Sequence, residues 1–92
     1  MDRQKCAVAL YYDGGAETPL PVITAKGFGA QAEAMIQAAK EAGVPIMENV
    51  PLAQALFDVS EVDNYIPRDL IEPVAEVIRW VYEMRASNQG SP

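Results

Sequence analysis

Between Pro21 and Gly43 the chain reads PVITAKGFGAQAEAMIQAAKEAG, and its hydrophobic period changes once, at Gly27-Phe28-Gly29. Ahead of that bend, Val22, Ile23 and Thr24 are β-branched and favour extended backbone. After it, Phe28, Ala32, Met35, Ile36 and Ala39 recur at i, i+4, i+7, i+8 and i+11, the stripe of an amphipathic helix. Gly43 stands where a helix end takes a left-handed residue. A strand that turns straight into a helix restricts the chain to α/β architectures, because the helix must lie back across the sheet it leaves. Residues 44–49, VPIMEN, read as a further strand with Pro45 near its start. The spacing predicts a βαβ unit with a right-handed crossover and two parallel strands.

The flanking segments fill in a small domain. Residues 6–12, CAVALYY, are apolar on both alternating faces and read as a central strand, closed by Asp13-Gly14-Gly15. Pro21 cannot donate to a ladder, so it belongs at the first position of the second strand. Pro51 suits the first turn of a short helix, PLAQALFD, and residues 59–66 form a connector. Pro67 suits another helix start. Leu70, Val74, Val77, Ile78, Val81 and Met84 mark one apolar stripe to about Arg85, with Pro73 either kinking the helix or standing at its true start. The expectation is a single α/β domain over residues 1–86, with a small mixed sheet of about three strands, a βαβ crossover and two to three helices. Residues 87–92 read as a mobile polar tail.

Composition removes several function classes. The chain has 92 residues, no histidine, one cysteine and a net charge of −6. Without histidine there is no Ser-His triad and no imidazole ligand for a metal. A lone Cys6 supports neither an internal disulfide nor a cysteine zinc site. The negative field repels nucleic acids and anionic lipid. The longest strongly apolar run, residues 6–12, is too short to cross a bilayer. These features point to a cytoplasmic protein with no cofactor, no metal, no nucleic-acid partner and no direct membrane insertion.

Four groups of residues invite a chemical reading. Gly27-Phe28-Gly29-Ala30-Gln31-Ala32 fits G-x-G-x-x-A at a strand-to-helix turn, with Glu48 about twenty residues on, and suggests a small nucleotide- or anion-binding module. The structural alternative is a tight turn, which the size of the chain favours, since no second dinucleotide half and no catalytic domain fit. Cys6 reads as a buried, inert thiol, with Lys5 on the opposite strand face. Asp58/Glu61 and Glu72/Glu76 lack metal-loop spacing and read as solvated helix faces. Ser60, Ser87 and Ser91 have no elbow motif or partner base. Last, Leu20 and Pro21 enter the second strand while Ala75, Ile78 and Trp80 lie on the final helix. A small alanine between larger apolar residues makes either ordinary core or a shallow pocket for a partner side chain.

The ordered blocks Ala7-Val8-Ala9-Leu10-x-Tyr12-Asp13, Pro21-Val22-x-x-Ala25-Lys26-Gly27-x-Gly29, Val44-Pro45, Pro51-Leu52-Ala53-x-Ala55-Leu56, Ile66-Pro67 and Val74-Ala75-Glu76-Val77-Ile78-x-Trp80-Val81 resemble the cytoplasmic C-terminal domain of the FlhB/YscU family. Any one block is weak; the set in order, over residues 6 to 84, is specific. These are export switch proteins of flagellar and other type III secretion systems. The resemblance implies a non-catalytic accessory of type III, flagellar-type export that binds export-apparatus proteins or cargo segments, recruited to the membrane apparatus. It places the family's substrate-recognition patch on Leu20, Pro21, Ala75 and Ile78, with Leu20 replacing a smaller residue common in the family. In the family the strand matching residues 6–12 follows Asn-Pro-Thr-His, whose asparagine cyclises and cuts the chain. Here Asp2, Arg3, Gln4 and Lys5 stand at those positions, so no self-cleavage is expected. Full-length members carry a membrane domain, a linker and a strand upstream of the cut, and the chain resembles a free-standing version of the cleaved fragment. An exposed sheet edge open to strand addition is the corresponding expectation.

Overall fold

A computed structural model describes residues 5–15 and 20–89, with side chains to residue 85. Its elements run β1 (Cys6–Tyr11), β2 (Val22–Phe28), α1 (Ala30–Ala42), α2 (Val50–Val59) and α3 (Ile71–Gln89), with one 3-10 turn at Arg68–Leu70 leading into α3. The class is mixed α/β, as the alternation of periods predicts. β1 and β2 are antiparallel, with Cys6 opposite Phe28 and Tyr11 opposite Val22. The register shifts between Ala9 and Leu10, which leaves Thr24 as an extra residue on β2. The Thr24 hydroxyl donates to the Ala9 carbonyl at 3.3 Å.

The two sheet faces differ because the residues do. Ala7 opposes Gly27 and Ala9 opposes Ala25 on one face, and these small side chains let α1 lie close. A Cβ on Gly27 would sit 2.7 Å from Met35 Sδ and 3.1 Å from backbone atoms of Gln31 and Ala32, so only glycine admits α1 at this depth. The other face carries Val8, Leu10 and Ile23 into the core with Leu56 of α2, Val74 of α3 and Ile66 of the connector. Ile23 and Val74 are completely buried.

Residues 44–49 form no strand, so the expected third strand and the parallel βαβ crossover are absent among the described residues. The backbone donors explain this. Gly43 closes α1 in the left-handed conformation, φ 75°, and Val44 N–H goes to Ala39 O at 2.9 Å. Pro45 has no N–H. Asn49 caps α2, its side chain accepting from Leu52 N–H at 3.2 Å and its carbonyl from Ala53 N–H at 2.9 Å. Residues 46–48 keep both backbone groups uncommitted among the described backbone, a run shorter than the usual strand of about five or six residues. Residues 6–12 do not form a central strand either: among the described residues β1 pairs with β2 alone.

The outer edge of β2 is met by the connector. Ile23 N–H donates to Asn64 O at 2.9 Å, Asp63 N–H to Ile23 O at 2.6 Å, and Ile66 N–H to Pro21 O at 3.1 Å. Asp63 adopts φ 72° to make that turn. Pro73 is the third residue of α3, where its missing N–H costs no helical bond, so the helix starts around it rather than kinking. α3 runs to Gln89, taking in three of the residues assigned to the tail; residues 90–92 lie outside the described residues.

Candidate functional site

Leu20 and Pro21 at the entry to β2 meet one face of α3. Ile71, Ala75 and Ile78 follow the i, i+4, i+7 spacing that stacks side chains on a helix face. Together with Tyr12 they line an open cavity of about 170 Å³. Pro21 is buried and its carbonyl is held by Ile66 N–H, which fixes one wall. Leu20 is 40% exposed and forms the rim. Ala75 is exposed, and its short side chain leaves the floor open where a larger residue would fill it. Tyr12 comes off the end of β1. The Asp13-Gly14 turn supports it, since a Cβ on Gly14 would lie 3.3 Å from the Tyr12 hydroxyl oxygen.

Among the described residues no charged side chain lines this cavity. Its chemistry is burial of one apolar side chain, worth roughly 1.5–3 kcal/mol for a Leu- or Ile-sized group. Leu20, Pro21, Ala75 and Ile78, singled out from the sequence, are thus brought to one place. Sequence reasoning missed Tyr12 and Ile71; the spacing of Ile71 four residues before Ala75 was the signal available. Trp80 does not join them. It lines a separate groove with Met47, on another side of α3.

The remaining candidates fall elsewhere. Gly27 is buried under α1, so its role is close helix packing, and Glu33 in the first turn of α1 puts a negative charge where an anion would need none. Cys6 is half-buried rather than fully buried; its thiol donates to Ala53 O at 3.6 Å. Desolvation pushes its pKa up, Asp58 adds to that and Lys26 opposes it, so the thiol stays protonated and unreactive at neutral pH. Asp58, Glu61, Glu72 and Glu76 are exposed, and no cluster of metal-binding residues occurs among the described residues. Ser60 is buried with its hydroxyl unpartnered, at the C-terminus of α2. Of the positions matching the cleavage motif, Asp2, Arg3 and Gln4 lie outside the described residues, while the Lys5 carbonyl accepts from Gly29 N–H at 2.7 Å. Ser91 also lies outside them, and the side chain of Ser87 is not described.

One residue unremarked in the sequence ties the layers together. Lys26 Nζ donates to Phe57 O at 3.0 Å and Ser60 O at 2.8 Å, closing the end of α2 with a cation. It also lies 4.8 Å from the centroid of the Phe57 ring, which packs 5.7 Å from the Phe28 ring.

Comparison with known proteins gives consistent matches. The model of the FlhB HrpN YscU SpaS Family matches residues 3–81. Yop proteins translocation protein U of Yersinia pestis is 44% identical over 85 residues, which are 92% of this chain and 24% of that protein. The flagellar biosynthetic protein FlhB of Yersinia enterocolitica is 44% identical over 81 residues, 86% of this chain and 20% of that protein. The chain therefore spans about a quarter of the length of the curated relatives it matches. Among solved structures, the PscU C-terminal domain superposes with a TM-score of 0.79 at 43% identity, covering 83% of this chain and 95% of that one.

Proposed function

The chain belongs to the FlhB, HrpN, YscU and SpaS family, and from that premise we propose that it is a non-catalytic accessory of type III, flagellar-type protein export. It binds export-apparatus proteins or cargo segments by seating an apolar side chain in the cavity between the entry to β2 and α3. The observation that carries this reading is the convergence of Leu20, Pro21, Ala75 and Ile78 on one open cavity that has no charged lining among the described residues. An open apolar site with a fixed proline wall suits recognition of a side chain and offers no group for catalysis. The far edge of β1, which has no strand beside it among the described residues, is a second place of contact, where an extended partner segment adds a strand. Among the described residues no helix is long and apolar enough to cross a membrane. The proposed place of action is the cytoplasmic side of the export apparatus.

The test is capture from lysate of an export-competent bacterium, with retained proteins identified by mass spectrometry. Ala75 is exposed, so Ala75→Glu leaves the fold intact, checked by circular dichroism, while a charge enters the cavity. Export-apparatus or cargo proteins held by the parent and lost by Ala75→Glu are expected. Equal retention by both refutes the site.

A further inference from the structure

The groove on the other side of α3 carries features that the cavity lacks. It measures about 710 Å³ and runs between Met47 and Asn49 on one side and, on the other, a face of α3 that includes Glu72, Glu76, Arg79, Trp80 and Glu83. Met47 and Trp80 supply apolar surface at its base. Three carboxylates against one guanidinium leave the helix face negative. No ion pair neutralises these glutamates among the described residues. The backbone of Met47 on the opposite side makes no hydrogen bond to other described backbone.

We propose that this groove takes an extended, basic peptide segment in which Lys or Arg alternates with apolar residues. The spacing favours an extended occupant. Glu72 and Glu76 are about 6 Å apart along the helix axis at 1.5 Å per residue. Alternate side chains of a strand are about 6.7 Å apart. From Glu72 to Glu83 is about 16.5 Å of axis, which an extended stretch of about five or six residues covers. Basic side chains on one face of such a segment meet the glutamates, and its apolar side chains rest on Trp80 and Met47. The inference is independent of the cavity reading, because Ile71, Ala75 and Ile78 occupy a different side of α3.

Trp80 is the only tryptophan in the chain, so its fluorescence reports on the groove directly. The probe is the blocked peptide Lys-Val-Lys-Val-Lys-Val, with Glu-Val-Glu-Val-Glu-Val as the control. Saturable change in Trp80 emission with the basic peptide alone is expected, weakened tenfold or more in Glu72→Lys/Glu76→Lys and weakened by added salt. Binding should be unchanged in Glu61→Lys, an exposed carboxylate that does not line the groove, which separates this site from the net charge of the chain. No saturable change, equal binding of the acidic peptide, or an unaltered titration in the charge-reversed variant overturns the proposal. So does a dimer in analytical ultracentrifugation that the reversal abolishes, since the occupant is then a second copy. Should the double variant fail to fold by circular dichroism, the single Glu83→Lys exchange replaces it, with the same outcomes.

Discussion

Replacing Lys26 by methionine removes an ammonium while keeping most of its aliphatic stem. Two carbonyls at the end of α2, those of Phe57 and Ser60, then lose their donor. A hydrogen bond to a charged group contributes about 1.5–3 kcal/mol net. Lys26 is half-buried, so water softens the loss and the lower end applies. The cation over the Phe57 ring adds about 0.5–1 kcal/mol. Because one ammonium makes all three contacts, they do not add fully, and the expected destabilisation is about 2–3 kcal/mol. For a domain of this size that lowers Tm by roughly 10–20 °C. Urea unfolding followed by circular dichroism reads it as a lower midpoint at unchanged slope. The Phe57→Leu variant, alone and combined with Lys26→Met, should give a coupling of about 0.5–1 kcal/mol. A Lys26→Met protein within 0.5 kcal/mol of the parent refutes the argument that this side chain holds α2 to the sheet.

Gly27→Ala should destabilise by about 1–3 kcal/mol, because the new methyl meets Met35 and α1 backbone; a midpoint equal to the parent's would mean that α1 does not lie so close. Folding raises the Cys6 pKa, so the native state holds its proton more tightly than the unfolded chain. Stability is therefore full below the ordinary thiol value of about 8.5 and falls as pH rises through and beyond it. Cys6→Ala should flatten that alkaline decline, and an identical pH profile in both proteins would remove the thiol from the account. Mass spectrometry of purified protein should show an uncut chain at Asp2-Arg3, since Asp2 lacks the attacking carboxamide nitrogen; a fragment beginning at Arg3 contradicts this.

Periodicity and punctuation carried most of the fold. The α1 bounds, its stop at Gly43, the proline-started α2 and the place of Pro21 at the head of β2 all follow from local rules that the structure obeys. Residues 44–49 alternate correctly, with Val44 and Ile46 exposed and Pro45 and Met47 half-buried, yet alternation says nothing about partners. Whether a ladder forms depended on which backbone groups were already spent, the Val44 N–H at one helix cap and the Asn49 carbonyl at the other, and periodicity does not report that. Four of the cavity's six residues stood out as apolar positions at the entry to β2 and along α3, and the resemblance separated them from Trp80; Tyr12 was hidden by a turn whose geometry no spacing rule gives. Lys26 was invisible for a similar reason, since its acceptors lie 31 and 34 residues away.

The connector lying along the entry to β2 has a consequence for assembly. A sheet with two open margins grows from both and has no built-in stop. Here residues 63–66 cap one margin at that end, while among the described residues no strand lies along the far side of β1. On the proposed reading growth is one-sided there: a single incoming strand takes up the vacant rungs, and a copy of this protein presents no matching bare margin at its capped end to continue a fibre.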